Sequence, residues 1–132
     1  MDKEKLFELA KEARLNAITD ISGFKVGAAL LAKDGKVFLG CNIEDRSGIG
    51  VTNICAERCA MIKALSEGYR EFEAIAVAGG KDDLVFCTPC GVCRQYLNTF
   101  CPDIEVICVD KDGAIKAYAL DELLPYSFSE TF

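Results

Sequence analysis

The sequence predicts a three-layer α/β/α protein, with one mixed sheet of about five strands and helices on both faces. Two patterns lead there. Apolar residues switch between helical and strand spacing in the order α-β-β-α-β-α-β-β-α, and two helices follow strands in the manner of crossovers. Asp34-Gly35 and Asp112-Gly113 each fall beside apolar runs, as the turns of hairpins do. The 132 residues are expected to form a single domain over 1–132. Area scaling allows about two thirds of the unfolded chain's surface to be buried, so the core needs no disulfides.

Each element has a local reason. Leu6, Leu9, Ala10, Ala13 and Ala17 share one helical face, which predicts a helix from residue 2 to about 18. Residues 24–33 form an apolar strand, and after the Asp34-Gly35 turn residues 36–42 return as its partner. Residues 43–52 form a polar loop with glycines. Residues 55–66 are helix-like, with Gly68 as the stop. Residues 72–78 read as a buried strand closed by Gly79-Gly80. A third helix over 90–100 ends before Pro102. Strands over 104–109 and 114–118 follow, then a short helix over 121–124.

Composition excludes several functions. The chain has no histidine, so it has no Ser-His-Asp triad, no Cys-His pair and no Cys₂His₂ zinc site. Acid-base work falls to Asp, Glu, Cys, Lys or Tyr. The net charge is −6, and lysines and arginines are scattered. That argues against a nucleic-acid partner. No apolar run approaches a membrane span and no secretory signal is visible, so a cytoplasmic location without a membrane partner is expected. That compartment is reducing, and its cysteines serve as free thiols or metal ligands rather than bridges.

The eight cysteines carry the chemistry. Cys55 opens one predicted helix, two residues after Asn53, a good N-cap. Cys90 and Cys93 lie one turn apart on another, where Thr88 would cap and Pro89 would take the first helical position. All three sulfurs then lie where helix amides are unpaired, and that environment favours thiolate. Three thiolates can hold Zn²⁺ with bonds of about 2.3 Å and leave a fourth position open, as catalytic zinc requires. The register leaves alternatives, because Cys87 precedes Cys90 by three and Cys59 follows Cys55 by four. Cys87, Cys59, Cys41, Cys101 and Cys108 are read as packing residues.

Cys55-Ala56-Glu57-Arg58, together with Pro89-Cys90-Gly91-Val92-Cys93-Arg94-Gln95, resembles the zinc-dependent cytidine deaminases in their small, homotetrameric form. The resemblance extends over Phe24-Lys25-Val26-Gly27-Ala28-Ala29, Gly40-Cys41-Asn42-Ile43-Glu44 and Leu123-Leu124-Pro125 with Phe128. It thins at Asp20-Ile21 and over residues 46–51, a loop slightly longer than the family pattern.

The resemblance implies a deaminase-like three-layer fold and one zinc per chain on Cys55, Cys90 and Cys93. It implies a water made acidic by that zinc and a proton shuttle at Glu57. Phe24 would pack on the base, Asn42 and Glu44 would hold the sugar, and the Ala56 amide would face the base carbonyl. Phe128 would enter a neighbouring subunit's site, which makes the sites shared within a homotetramer. The implied reaction is hydrolytic deamination of cytidine and deoxycytidine in pyrimidine salvage. Three thiolates and Glu57 leave the site overly negative, and one or both of Arg58 and Arg94 are expected to donate hydrogen bonds to the sulfurs. Competing readings are deamination of another aminopyrimidine nucleoside or a cytosine-containing antibiotic, a non-catalytic zinc module, and a Cys90–Cys93 redox pair.

Overall fold

The computed structural model describes residues 1–129. Its elements are α1 (Lys3–Arg14), β1 (Lys25–Ala32), β2 (Val37–Cys41), a 3₁₀ turn (Gly50–Thr52), α2 (Ala56–Ser66), β3 (Phe72–Gly80), α3 (Gly91–Phe100), β4 (Glu105–Val109), β5 (Ile115–Ala119) and α4 (Leu120–Leu123). The five strands form one sheet in the order β2-β1-β3-β4-β5. β3 and β4 are parallel, joined by the crossover that carries α3, and every other pairing is antiparallel. The mixed sheet agrees with the expectation.

Strand alternation divides the core into two layers. Leu30, Ile75 and Val106 face α2 and α3, where they meet Met61 and Leu97. Leu31, Ala76 and Ile107 face the opposite way, onto Leu6, Phe7 and Ala10 of α1. Helices therefore cover both faces, as the pattern required.

Two glycines bring the helices unusually close to the sheet. A Cβ on Gly27 would overlap the Ala10 carbonyl oxygen of α1. One on Gly40 would lie 2.5 Å from the Ala56 carbonyl oxygen and from the Ala60 nitrogen. The second contact fixes the start of α2 against β2, and that start carries Cys55 and Glu57.

Several boundaries differ from the sequence reading. α1 stops at Arg14, not near 18. The carbonyls of Ala13 and Arg14 close turns onto Asn16 and Ala17, and Ile18 then leaves to pair with Ile43. A strand-like bridge wins there over helical periodicity. β3 continues through Gly79 and Gly80, which pair with Val26 and Lys25. Cys55 and Cys90 themselves occupy the N-cap positions of α2 and α3. Asn53 and Thr88 do not cap, because their side-chain oxygens are engaged elsewhere, by the Asp45 amide at 2.5 Å and by Arg94 Nη2 at 2.7 Å. Pro89 accordingly precedes the cap.

Candidate active site

The starts of α2 and α3 point at one another across the same end of the sheet. Their N-cap residues, Cys55 and Cys90, have extended backbones and make no side-chain capping bond. The thiols are therefore free to face each other while the first amides of each helix stay unpaired. Cys93, one turn into α3, completes the group. The sulfurs of Cys55, Cys90 and Cys93 all lie within 4.8 Å of one another, and Cys55 Sγ is 3.6 Å from Cys90 Sγ. Tetrahedral zinc with bonds of about 2.3 Å needs sulfurs about 3.8 Å apart. The donor set and the spacing thus fit zinc. Cys93 is buried, Cys55 half-buried and Cys90 exposed, so the cluster opens to one side.

That side is a cavity of about 380 Å³. Its walls include Phe24, Val26, Asn42, Glu44, Cys55, Ala56, Glu57, Arg58, Cys87 and Cys90. The two halves of the sequence motif and the earlier Phe24, Asn42 and Glu44 are thus brought together in one space. Cys59 is not part of it. With Cys41 it lines a separate cleft beside α1. Cys101 and Cys108 are buried packing residues, as expected.

Charge inside the site is set by burial and by crowding of the sulfurs. Glu57 is only 4% exposed. Loss of solvent pushes its carboxyl up to about 7, and the nearby Cys55 adds to the effect. The Cys55 thiol is pulled down to about 5, first by hydrogen bonding from Cys93 and then by Arg58. Cys93 is pushed up by the same shared hydrogen bond and by burial. Cys87 is pushed up to about 12, chiefly by burial, and stays a neutral thiol.

Arg58 Nη2 lies 3.6 Å from Cys55 Sγ, the sulfur contact anticipated for it. Its Nε is buried without a hydrogen-bond partner among the described residues. Arg94 takes another course. It donates to the Pro89 carbonyl at 2.8 Å, the Leu123 carbonyl at 2.5 Å and Thr88 Oγ1 at 2.7 Å. These acceptors lie behind the ligand turn, so Arg94 braces the chain leading into Cys90 and its hydrogen bonds go to oxygens, not sulfurs.

Asn42 and Glu44 are already held in place. Asn42 Oδ1 accepts the Val26 amide at 2.9 Å, and its Nδ2 donates to the Phe24 carbonyl at 2.8 Å. Glu44 accepts the Ile21 and Ser22 amides at 3.0 Å each and the Ser22 hydroxyl at 2.6 Å. Those bonds hold its carboxyl below the usual range. Phe128 is 70% exposed and lies outside the cavity of its own chain. Its backbone is fastened to Gln95 and Asn98.

Sequence reasoning did not place Val26 or Cys87 in the cavity. Strand alternation from Phe24 would have found Val26. Cys87 carried no such signal, because a cysteine before a helix cap reads equally well as core.

A mixed sheet with α2 and α3 presenting three thiols beside a buried glutamate defines a zinc deaminase domain. The family model for the cytidine and deoxycytidylate deaminase zinc-binding region matches residues 1–110, and the chain belongs to that family. It is 45% identical to the cytidine deaminase of Sporosarcina psychrophila over 131 residues, covering 98% of this chain and 93% of that one. It is 30% identical to the blasticidin-S deaminase of Bacillus cereus, covering 94% of this chain and 90% of that one. The crystal structure of cytidine deaminase from Burkholderia pseudomallei superposes with a TM-score of 0.85 at 44% identity, covering 97% of this chain and 100% of that one.

Proposed function

We propose that the chain acts as one catalytic unit over 1–132. It hydrolyses the amino group of cytidine and deoxycytidine to give uridine and deoxyuridine plus ammonia, a step of pyrimidine salvage. One observation carries the reading: the buried Glu57 lines the same cavity as Cys55 and Cys90, two of three converging cysteine sulfurs, with Cys93 buried behind them. A non-catalytic zinc module has no use for a carboxyl taken out of water at that place. A redox pair needs two thiols, not a third on another helix.

One zinc on Cys55, Cys90 and Cys93 supplies, when bound, an acidified water as nucleophile. Glu57 carries the protons. Its raised pKa lets it accept a proton from the attacking water near neutral pH and pass it to N3 of the ring, then take the proton of the hydroxyl added at C4 and deliver it to the departing amine, as in zinc deaminases as a class. Ala56 opens α2, and its amide has no partner within the helix, so it donates to the C2 carbonyl of the base. Phe24 packs on the ring. Asn42 keeps one N–H and one lone pair beyond its bonds to Phe24 and Val26, and Glu44 keeps acceptor capacity beyond its bonds to Ile21 and Ser22. Both are left for ribose hydroxyls, and the Glu44 charge disfavours a phosphate at that end. Arg58 draws charge from Cys55, which offsets the excess negative charge of thiolates and glutamate.

The working unit is a homotetramer with shared sites. Phe128, Val92 and Val51 are large apolar residues with most of their surface exposed, and a partner of the same chain would cover them. Phe128 reaches a neighbour's cavity there. The cytoplasm suits its thiols. A net charge of −6 gives no nucleic-acid footprint. Among the described residues no helix is long and apolar enough to cross a membrane.

One observation favours a second reading, deamination of a cytosine-bearing antibiotic. Gly50 of the altered loop and Asn53 and Ile54 just after it line the same cavity, and the similarity reaches a blasticidin-S deaminase. Loss of absorbance of cytidine, deoxycytidine and blasticidin S, followed side by side with zinc-loaded protein, separates the two. Preferred turnover of the antibiotic contradicts the first reading.

A further inference from the structure

Three wall residues of the cavity rest on one residue that does not line it. Gly79, near the end of β3, pairs with Val26 of β1. Its carbonyl accepts the Val85 amide at 2.9 Å, which holds the segment leading to Cys87 against the sheet. A Cβ on Gly79 would stand 2.6 Å from Cys87 Sγ and 3.2 Å from the Phe24 ring. Phe24, Val26 and Cys87 all face the cavity. Gly79 is not among the glycines with positive φ. What it supplies is therefore room, not a backbone conformation.

We propose that Gly79 is a positioning residue that determines specificity: by lacking a side chain it lets Cys87 and Phe24 seat back against β3, and this sets the width of the pocket for the pyrimidine base. The inference rests on the nucleoside reading of the cavity. A methyl group at 79 forces the Cys87 sulfur to move by about 1 Å to regain van der Waals distance. Cys87 has a single χ1 torsion with which to respond, and the open direction is the cavity. The displaced sulfur then narrows the reacting end, beside Cys90 and Glu57. On a pyrimidine, C5 adjoins C4, the atom that loses its amine. A substituent on C5 therefore probes this wall directly.

The test uses zinc-loaded Gly79→Ala, Cys87→Ala and the double variant. It reads kcat and KM for cytidine, the Kd for uridine by calorimetry, and the ratio of 5-methylcytidine to cytidine turnover. A wall moved by about 1 Å is expected to raise the KM and the uridine Kd of Gly79→Ala about tenfold, with a smaller change in kcat. Adding Cys87→Ala removes the sulfur and recovers most of that loss. Cys87→Ala alone raises the 5-methylcytidine ratio several-fold. Wild-type KM and Kd in Gly79→Ala, or a double variant no better than Gly79→Ala, overturn the proposal. If Gly79→Ala does not fold, an unchanged substrate ratio in Cys87→Ala overturns it. The uridine Kd keeps the two claims apart. A wild-type chain that binds uridine without converting cytidine refutes the deaminase reading, while the Kd series still decides the role of Gly79.

Discussion

Arg58 Nη2 stands 3.6 Å from Cys55 Sγ, on the helix turn that also carries Glu57. The arrangement sets a guanidinium against a thiolate that hydrogen bonding from Cys93 and from Arg58 itself holds near 5. Without it, a cluster of thiolates beside a carboxylate would hold its charge unbalanced. Arg58→Ala is expected to lower zinc affinity by about 10- to 100-fold and to lower kcat as well. Arg58→Lys restores charge without the planar fork and recovers only part of both. Competition with a chelator gives the affinity, and unchanged affinity and turnover in Arg58→Ala would remove the role.

Glu44 gives the protein an acid-sensitive corner. Its carboxyl is held below the ordinary 4.5, first by the Ser22 hydroxyl and then by the Ser22 amide. A carboxyl depressed on folding contributes stability that is present above its unfolded pKa and lost as the pH falls through the folded one. The loop at Ile21 and Ser22 is therefore expected to loosen below about pH 4.5. The protection of the Ser22 amide, taken relative to intrinsic exchange at each pH, should fall there in the wild type. In Glu44→Gln it should be low at neutral pH and flat across the same window.

The contact of Gly40 with α2 predicts a stability effect that reaches the metal. Gly40→Ala places a Cβ against the Ala56 carbonyl and Ala60 amide, both backbone, and should cost about 1–3 kcal/mol. Gly50→Ala meets nothing within 4 Å and should change stability by less than about 0.5 kcal/mol. Urea midpoints compare the two. Zinc affinity should fall in the first variant only, because Gly40 supports the start of α2.

Phe128 predicts complementation between subunits. Phe128→Ala should raise the KM for cytidine with zinc content unchanged. Co-assembly with Glu57→Ala subunits, which retain Phe128, should restore activity to the Phe128→Ala sites. Activity of the mixture equal to the sum of the separate proteins would place Phe128 outside its neighbours' sites.

How much of this was legible in the sequence depends on how far each feature relies on local chemistry. The element order, both Asp-Gly turns and the stop at Gly68 follow from short-range rules, and the structure keeps them. The grouping of Cys55, Cys90 and Cys93 was also readable, because two helix starts with matching cysteines leave few other arrangements. The end of α1 was not, since Ile18 is drawn away by Ile43, distant in the chain. The caps were misplaced because Asn53 and Thr88 are claimed by Asp45 and Arg94. Arg94 itself follows Cys93 in sequence, yet its side chain turns behind the ligands to oxygens of Pro89 and Leu123. Direction of a long side chain is a tertiary property. Cys87 entered the cavity wall for the same reason, through its seat on Gly79.

The central claim is that Glu57 moves protons at a three-cysteine zinc centre, and the Glu57→Ala variant tests it most directly. Zinc per chain and cytidine turnover are measured on both proteins in parallel. The account predicts one zinc in each and turnover reduced by at least about 10²- to 10⁴-fold in Glu57→Ala. Full zinc with equal turnover in the variant would contradict it.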